Sequence, residues 1–386
     1  MGPSAAVAEV RNAVRDCLSD LAAGDLVLAA CSGGADSLSL AAALAFVAPR
    51  QRLRAGGVTV DHGLQPGSAG RARDVAAALT RLGLDPVECV PVSVPRNGKH
   101  GGPEAAARTA RYDALATVAE RAGAAAILLG HTLDDQAETV LLGLARGSGA
   151  RALAGMAAQR GRYRRPLLNV RRATTRAACA ALDLPVWDDP HNTSPRFARA
   201  RVRHEVMPVL EAALGPGVAE ALARTAGQLR ADTGFLDALA EMEAERACGG
   251  RTTLLTEHLA ALPPALRTRV LHSAAVAAGC PAGSLTAGHV DQLETLVTGW
   301  RGQRWVDLPG GVRALRRDGQ LKFSRDSTPA GDGPAGSGPM AGAVDDAAGR
   351  DREGGHGRGR HGDRPEGSAD QRGQAAPARG GAGGAH

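Results

Sequence analysis

The sequence predicts an α/β fold: a parallel sheet with helices on both faces, then a smaller, mostly helical second domain and a disordered tail. Three observations predict it. Apolar runs of strand length alternate with helix-length segments up to about residue 145, the pattern of a covered parallel sheet. Alanine and leucine recur at helical spacing from about 217 to 300. From about Ser324 the chain has no Leu, Ile, Phe, Tyr or Trp, so it lacks the apolar surface needed to order itself.

Each element follows from its residues. "DLVLAA" (25–30) reads as a buried strand and 36–47 as a helix. "GGVTVDHG" (56–63) is a strand ending in polar residues, with a helix near 68–83 behind it. "VECVPVSV" (87–94) is a third strand. "PEAAARTARYDALATVAERAG" (103–123) is a long helix with Pro103 in its first turn, where the missing N–H costs little. "AAAILLGH" (124–131) is a fourth strand and 134–145 a short helix. The stretch from about 150 to 172 is arginine-rich and irregular. Helical patterns return at 173–182 and 199–214, and 304–323 reads as short strands joined by glycine turns.

Composition narrows the function. The chain has 386 residues, a net charge of +6 and a pI near 9.4, a balance that favours an anionic partner such as a nucleotide or nucleic acid. Only 2% of residues are aromatic, so Ala, Leu and Val must build the core. The six cysteines are scattered without a C-x-x-C pair, which argues against a zinc ribbon or a redox pair and fits a reducing cytoplasm. The charged N-terminus has no signal-peptide core, and no apolar run is long enough to span a membrane.

The most informative stretch is "SGGADS", Ser32 to Ser37, directly after a strand and before a helix. That places it at the carboxyl edge of the sheet, where open α/β sheets bind ligands. Gly33 and Gly34 permit a tight turn and close backbone approach. The amides of the loop and the helix start make an anion nest, to which Ser32 and Ser37 add hydroxyls. Asp36 would repel a phosphate unless a cation bridges them, so it points to Mg²⁺ or to a helix cap. Further along, Asp134, Asp135 and Glu138 begin a helix, and their spacing puts them on one face. Such carboxylates can hold an ammonium or a metal, or simply favour a helix N-terminus.

"SGGADS" after a strand resembles the PP-loop of the ATP pyrophosphatase superfamily, with its adenine nucleotide alpha hydrolase-like fold. Those enzymes cleave ATP between the α and β phosphates and activate a substrate oxygen as an adenylate. The loop alone leaves GMP synthetase, asparagine and argininosuccinate synthetases and tRNA-modifying enzymes open. "LLGHTLDDQAETVLLGLARGSG" (128–149) narrows this, because it resembles the signature of the tRNA(Ile)-lysidine synthetase family. "VDHGLQPGS" (60–68), "EAAARTARY" (104–112), "RPLLNVRR" and "WDDPHNTSPRFARARVRHEVMPVL" (187–210) match further blocks in family order, over roughly 25 to 325. Ala200 stands where the family usually has asparagine, and Gly143 where it has a larger residue.

The resemblance implies a reaction. ATP adenylates the C2 oxygen of the wobble cytidine of an isoleucine tRNA with a CAU anticodon; the ε-amine of free L-lysine then displaces AMP. It implies ATP as substrate with Mg²⁺ at Asp36, and an ATP site of Ser32, Gly33, Gly34, Ala35, Asp36, Ser37, Asp61, His62 and Arg146. Lysine falls to Arg111, Asp135 and Glu138, with Arg111 on its carboxylate. Catalytic roles fall to Asp36, His131 and Arg203, the arginine neutralising charge as pyrophosphate leaves; Arg201 is a further phosphate candidate. Tyr112, Tyr163, Trp187 and Phe197 are the nearest aromatics for base stacking. Cys31 reads as a small buried core residue, and the missing C-x-x-C disfavours a 2-thiocytidine-type thiolase; an inactive nucleotide-binding homologue is the other alternative. The expected division is an N-terminal helix over 1–24, a catalytic domain with a helical extension over 25–214, a smaller tRNA-binding domain over 215–325 and the tail over 326–386. The expected location is cytoplasmic, and a homodimer is compatible with the sequence.

Overall fold

The computed structural model describes residues 2–63, 67–93, 102–147, 149–189, 193–250, 253–302 and 305–325. The expected tail, 326–386, lies outside the described residues. Met1–Ser327 forms one compact unit.

The chain opens with α1 (Ala5–Cys17), then alternates β1 (Leu26–Ala30), α2 (Ala35–Val47), β2 (Arg54–Asp61), α3 (Ser68–Arg81), β3 (Val87–Pro91), α4 (Gly102–Ala122), β4 (Ala124–Leu129) and α5 (Leu133–Ala145). The six-stranded sheet runs β3-β2-β1-β4-β6-β5. The first four strands are parallel. The region expected to be irregular holds a short α6 (Ala150–Leu153) and two short strands, β5 (Gln159–Arg160) and β6 (Tyr163–Arg164). β6 extends the sheet in parallel beside β4, and β5 closes the edge in antiparallel.

Strand alternation sorts the core onto two faces. Val27 and Ala29 pack with Val7, Val10 and Val14 of α1, with α2, and with α7 (Arg172–Ala181). Leu26 and Leu28 pack on the other face with Leu115 and Val118 of α4 and with Ile127. Val7, Val10 and Val14 recur at helical spacing, which is why α1 docks on this face alongside α2, α3 and α7. The small residues of α2 bury nearly every side chain, so this helix lies close to the sheet without needing aromatic bulk.

The strand order fixes the site. From β1 the chain builds outward through β2 and β3, then returns to place β4 on the other side of β1. The loops after β1 and β4 therefore diverge around a switch point, the place where doubly wound sheets open a ligand crevice.

The expected helix over 199–214 is interrupted. It comprises α8 (Ala198–Arg201), a π-helical turn at Val202–Val206, and α9 (Met207–Leu214). α10 (Val218–Arg246) follows, packing against α5 and α6 on one side and α12 (Pro264–Ala277) on the other. The stretch expected to be mostly helical also contributes β7 (Cys248–Gly250) and β8 (Thr253–Leu255), ahead of α11 (Thr256–Ala261), α12 and α13 (Ala287–Thr298). With β9 (Val306–Leu308), β10 (Val312–Arg317) and β11 (Gln320–Arg325) they form an antiparallel sheet ordered β7-β8-β11-β10-β9. Its inner face shares a core with α11, α12 and α13. Among the described residues no single helix is long and apolar enough to cross a membrane.

Candidate active site at the sheet switch point

A cleft of about 830 Å³ opens at the switch point. Ser32, Gly34, Ala35, Asp36 and Ser37 line it from the β1–α2 loop, Asp61 and His62 from the end of β2, and Arg111 from α4. His131 and Asp135 line it from the β4–α5 turn, and Arg172 and Arg203 from later in the chain.

The β1–α2 loop is tied into shape by its own hydroxyls. Ser37 Oγ donates to the Gly34 carbonyl at 2.9 Å and accepts from the Ser32 amide at 3.1 Å. The Ser37 and Leu38 amides turn back onto the Gly34 carbonyl, at 3.1 and 3.0 Å, which leaves the Ala35 and Asp36 amides that open α2 to face an anion. Gly33 has φ +89°, and a Cβ there would sit 2.8 Å from Val75 Cγ2. Gly33→Ala is therefore expected to lower stability by about 1–3 kcal/mol through backbone strain, and to raise the KM for ATP; denaturant unfolding and steady-state kinetics check both. Across the cleft, Gly130 lets β4 approach α2, since a Cβ would lie 3.1 Å from the Asp36 backbone.

The carboxylates form one cluster, already threaded by arginines. Thr132 and Asp135 make a capping box at the start of α5, with Asp135 Oδ2 accepting from the Thr132 amide at 2.9 Å and its hydroxyl at 3.0 Å. Arg172 donates to Asp36 Oδ2 at 3.4 Å, to Asp135 Oδ1 at 2.8 Å and to Glu138 Oε1 at 3.3 Å. Arg203 grips Glu138 through both oxygens, at 2.7 and 3.1 Å, and reaches Asp135 Oδ1 at 3.2 Å. Asp134 instead ties down the start of α7, accepting from the Arg172 amide at 2.7 Å. Asp36 Oδ1 also accepts from the Thr175 hydroxyl.

These contacts set the charges. Burial pushes the Asp36 carboxyl up, against the pull of Thr175 and Arg172. Burial would raise Asp135 as well, but Arg172, the Thr132 amide, His131 and Arg203 outweigh it and hold Asp135 below the usual carboxylate range. Burial keeps His131 neutral, pushed down to about 4; its buried Nδ1 has no hydrogen-bond partner among the described residues. Burial also lowers Arg111, whose buried Nε likewise has no partner among the described residues. Burial and the Arg111 charge lower His62. Asp61 is held low chiefly by the Gly63 amide, at 3.0 Å. Cys31 is buried and its thiol is raised by that burial, the state of a core residue rather than a nucleophile.

His131 carries a pH signature. Its folded value lies below the unfolded one near 6.5, so the unfolded chain binds the extra proton first as pH falls. The stability contributed by neutral His131 is complete above about pH 6.5 and is lost towards pH 4. Stability should therefore fall as pH drops from 7 towards 4.5, and unfolding free energies of His131→Asn, measured by denaturant titration at each pH, should fall less steeply with pH.

Gly33, Arg146 and Glu138, all expected in the site, do not line the main cleft. Arg146 caps the C-terminal end of α5 and is exposed. That is about 20 Å of helix from the acidic end, so the structure does not bring it to the ATP loop. Glu138 is buried behind Asp135 and opens instead onto a smaller pocket of about 200 Å³ with Asp134, Arg171, Arg172 and Arg203. Arg203, expected as a phosphate contact, is engaged by Asp135 and Glu138. Arg201 donates to the Pro195 carbonyl at 2.6 Å. Sequence reasoning missed Arg172, which joins Asp36 to Asp135 and Glu138, and Thr175, which donates to Asp36. The available signal was "RPLLNVRR", a matched block ending in Arg172. Trp187, named only as a stacking option, lines the cleft and donates its amide to the Gly33 carbonyl at 3.0 Å.

A serine–glycine loop at the switch point, with a buried acid–arginine cluster opposite, defines an ATP-using enzyme of the PP-loop class. Residues 7–210 match the PP-loop domain family, and residues 254–321 match the TilS substrate binding domain. The tRNA(Ile)-lysidine synthase of Thermobifida fusca is 61% identical over 84% of this chain and 99% of its own length. Those of Streptomyces coelicolor and Salinispora arenicola are 55% and 56% identical, over 83% and 84% of this chain and 99% and 98% of theirs. The chain belongs to the tRNA(Ile)-lysidine synthase family. A solved structure, the U34-tRNA thiolase NcsA from Methanococcus maripaludis with its [4Fe-4S] cluster, aligns over 58% of this chain and 79% of its own at 20% identity and TM-score 0.49.

Proposed function

We propose that the chain converts the wobble cytidine of a CAU-anticodon isoleucine tRNA to lysidine, using ATP and free L-lysine. The observation that carries this reading is the meeting of a phosphate-binding loop and a buried acid cluster in one cleft, joined by Arg172. In the first step the cytidine C2 oxygen attacks the α-phosphorus of ATP and pyrophosphate leaves. In the second, the lysine Nε attacks C2, the C2–O bond breaks and AMP departs.

The chain's own residues divide this work. The amides and hydroxyls of Ser32–Ser37 hold the pyrophosphate end of ATP, and Asp61 and His62 face its adenosine half. A single carboxylate beside phosphates fits Mg²⁺, which favours one or two protein oxygens plus substrate phosphates; Asp36 would hold it. When bound, that ion neutralises charge on the departing pyrophosphate. Arg111, half-buried in the cleft wall and without a carboxylate partner among the described residues, would take the lysine carboxylate. Asp135 and Glu138 receive its ammonium, which must share them with Arg172 and Arg203. Neutral His131 offers a hydrogen-bonding nitrogen beside the adenylate without adding charge. We place the enzyme in the cytoplasm, with its substrates.

AMP release that requires both lysine and unmodified CAU-anticodon isoleucine tRNA, with lysidine recovered by nucleoside analysis, is the expected result. Lysine-independent turnover, or 2-thiocytidine as product, would overturn the proposal. Glu138→Gln is expected to raise the KM for lysine about tenfold, the difference between a charged and a neutral hydrogen bond, while the KM for ATP stays nearly constant. Equal movement of both constants would remove Glu138 from the lysine site.

A further inference from the structure

The outward face of the antiparallel sheet carries a feature that the cleft does not use. Register and burial separate its two faces. Val312, Ala314, Leu321 and Phe323 point into the core at 3% exposure or less. Arg313 pairs with Asp307, and Leu315 with Lys322. Strand alternation therefore lays Trp305, Asp307, Arg313, Leu315, Arg317 and Lys322 on the solvent side.

Trp305 is held there rather than loosely exposed. Its Nε1 donates to Asp307 Oδ2 at 3.2 Å, and Arg313 donates to Asp307 Oδ1 at 2.8 Å. The Arg313 guanidinium lies over the indole, 4.7 Å from the ring centroid. The Asp307 carboxylate, on the edge strand β9, thus fixes both the aromatic plane just before that strand and a cation on the neighbouring β10. Trp305 is still 42% exposed. Arg317 and Lys322 stand exposed on the neighbouring strands; Arg317 faces Asp318 of the β10–β11 turn at 3.4 Å, and Lys322 has no ion-pair partner among the described residues.

We propose that this face is a second contact surface for the tRNA, with an unstacked base against Trp305 and the flanking phosphates on Arg317 and Lys322. The inference rests on the tRNA reading of the cleft. A preorganised aromatic plane beside cations is the chemistry that takes nucleobases without reading their sequence, and phosphates supply the complementary charge. The strands that build the face fall in the segment matching a substrate binding domain. In a chain with only nine aromatic residues, an exposed tryptophan pinned by its own carboxylate has no role in the core.

The test uses the full chain and an unmodified CAU-anticodon isoleucine tRNA transcript. Trp305→Ala should weaken tRNA binding about tenfold, as loss of one stacked base does, and Trp305→Phe should restore most of it. Arg317→Ala with Lys322→Ala should lower the slope of log affinity against log salt by about 1.5. Thermal unfolding should be unchanged in all three. Unaltered affinity and slope would overturn the proposal. So would a wild-type dimer that dissociates in Trp305→Ala on sedimentation, since the face would then belong to a second copy. Lysidine formation by the wild-type chain is scored separately. Its absence would refute the proposed reaction, whereas normal lysidine formation with unchanged tRNA affinity in Trp305→Ala would refute only this surface.

Discussion

Asp36→Asn should abolish AMP and pyrophosphate formation, by about a hundredfold or more, while leaving the protein at least as stable as before. The two effects have one cause. Asp36 is a carboxylate in a place that penalises its charge: burial raises its folded pKa, and only Thr175 and Arg172 pull against that. For a group whose folded pKa is raised, the ionised form works against folding at neutral pH, and that cost disappears as pH falls through the folded value. Asparagine keeps the shape and an acceptor for the Thr175 hydroxyl without the charge. Arg172 keeps Asp135 and Glu138 as partners. What is lost is the negative charge that, in the proposed reaction, would hold a cation against the leaving pyrophosphate, and removing one preorganised electrostatic group from a reacting centre costs about 10²–10³ in rate. Pyrophosphate release assayed beside thermal unfolding checks both halves. A large fall in melting temperature would show that Asp36 stabilises the fold, contrary to the argument.

Arg172→Ala should do the opposite, costing stability as well as activity. The Arg172 guanidinium touches three carboxylates, and its side chain is 18% exposed. Without it Arg203 is left to face both Asp135 and Glu138, with Arg199 reaching only Glu138 at 3.8 Å, and Asp36 loses its cation. Removing one partner from a mostly buried ionic cluster leaves uncompensated charge, and the loss should be about 3 kcal/mol in urea unfolding. The pH profile gives a sharper reading. Asp135 has a depressed folded pKa, so its contribution is present above the unfolded value near 4 and is lost as pH falls through the folded one. With Arg172 gone the folded value rises, and Asp135's share of stability should shrink to what the Thr132 amide, His131 and Arg203 still supply. Arg172→Lys should rescue only in part, because one ammonium cannot present the same fork to three acids.

Much of this was legible before any coordinates. The alternation of strands and helices placed β1 to β4 within a few residues, because each is a buried apolar run bounded by turn residues. The loop Ser32–Ser37 and the acids of α5 were legible because local spacing defines each. The partners that bind them together were not. Arg172 lies 136 residues from Asp36, and Thr175 lies 139 away. No periodicity in the chain connects positions so far apart; only the docking of α7 beside α2 does. β5 and β6, at two residues each, are too short for alternation to register. β7 and β8 were hidden by the helices around them. Arg203 was singled out for its charge, but its pairing with Glu138 depends on the π-helical turn at Val202–Val206.

α10 has a consequence of another kind. Its buried residues Ala219, Ala226, Thr233 and Ala240 recur every seventh position, a narrow seam of small side chains that lets neighbouring helices lie close along its length. Asp237 accepts from Arg151 on α6 and from Arg269 on α12, so one carboxylate pins both neighbours in the C-terminal half of the helix. With 29 residues, the helix spans about 43 Å. It works as a caliper whose opening is set by residue count: one inserted residue would turn the far jaw by about 100° and push it out by about 1.5 Å. The gauge between nucleotide cleft and distal sheet is therefore written in the length of one helix.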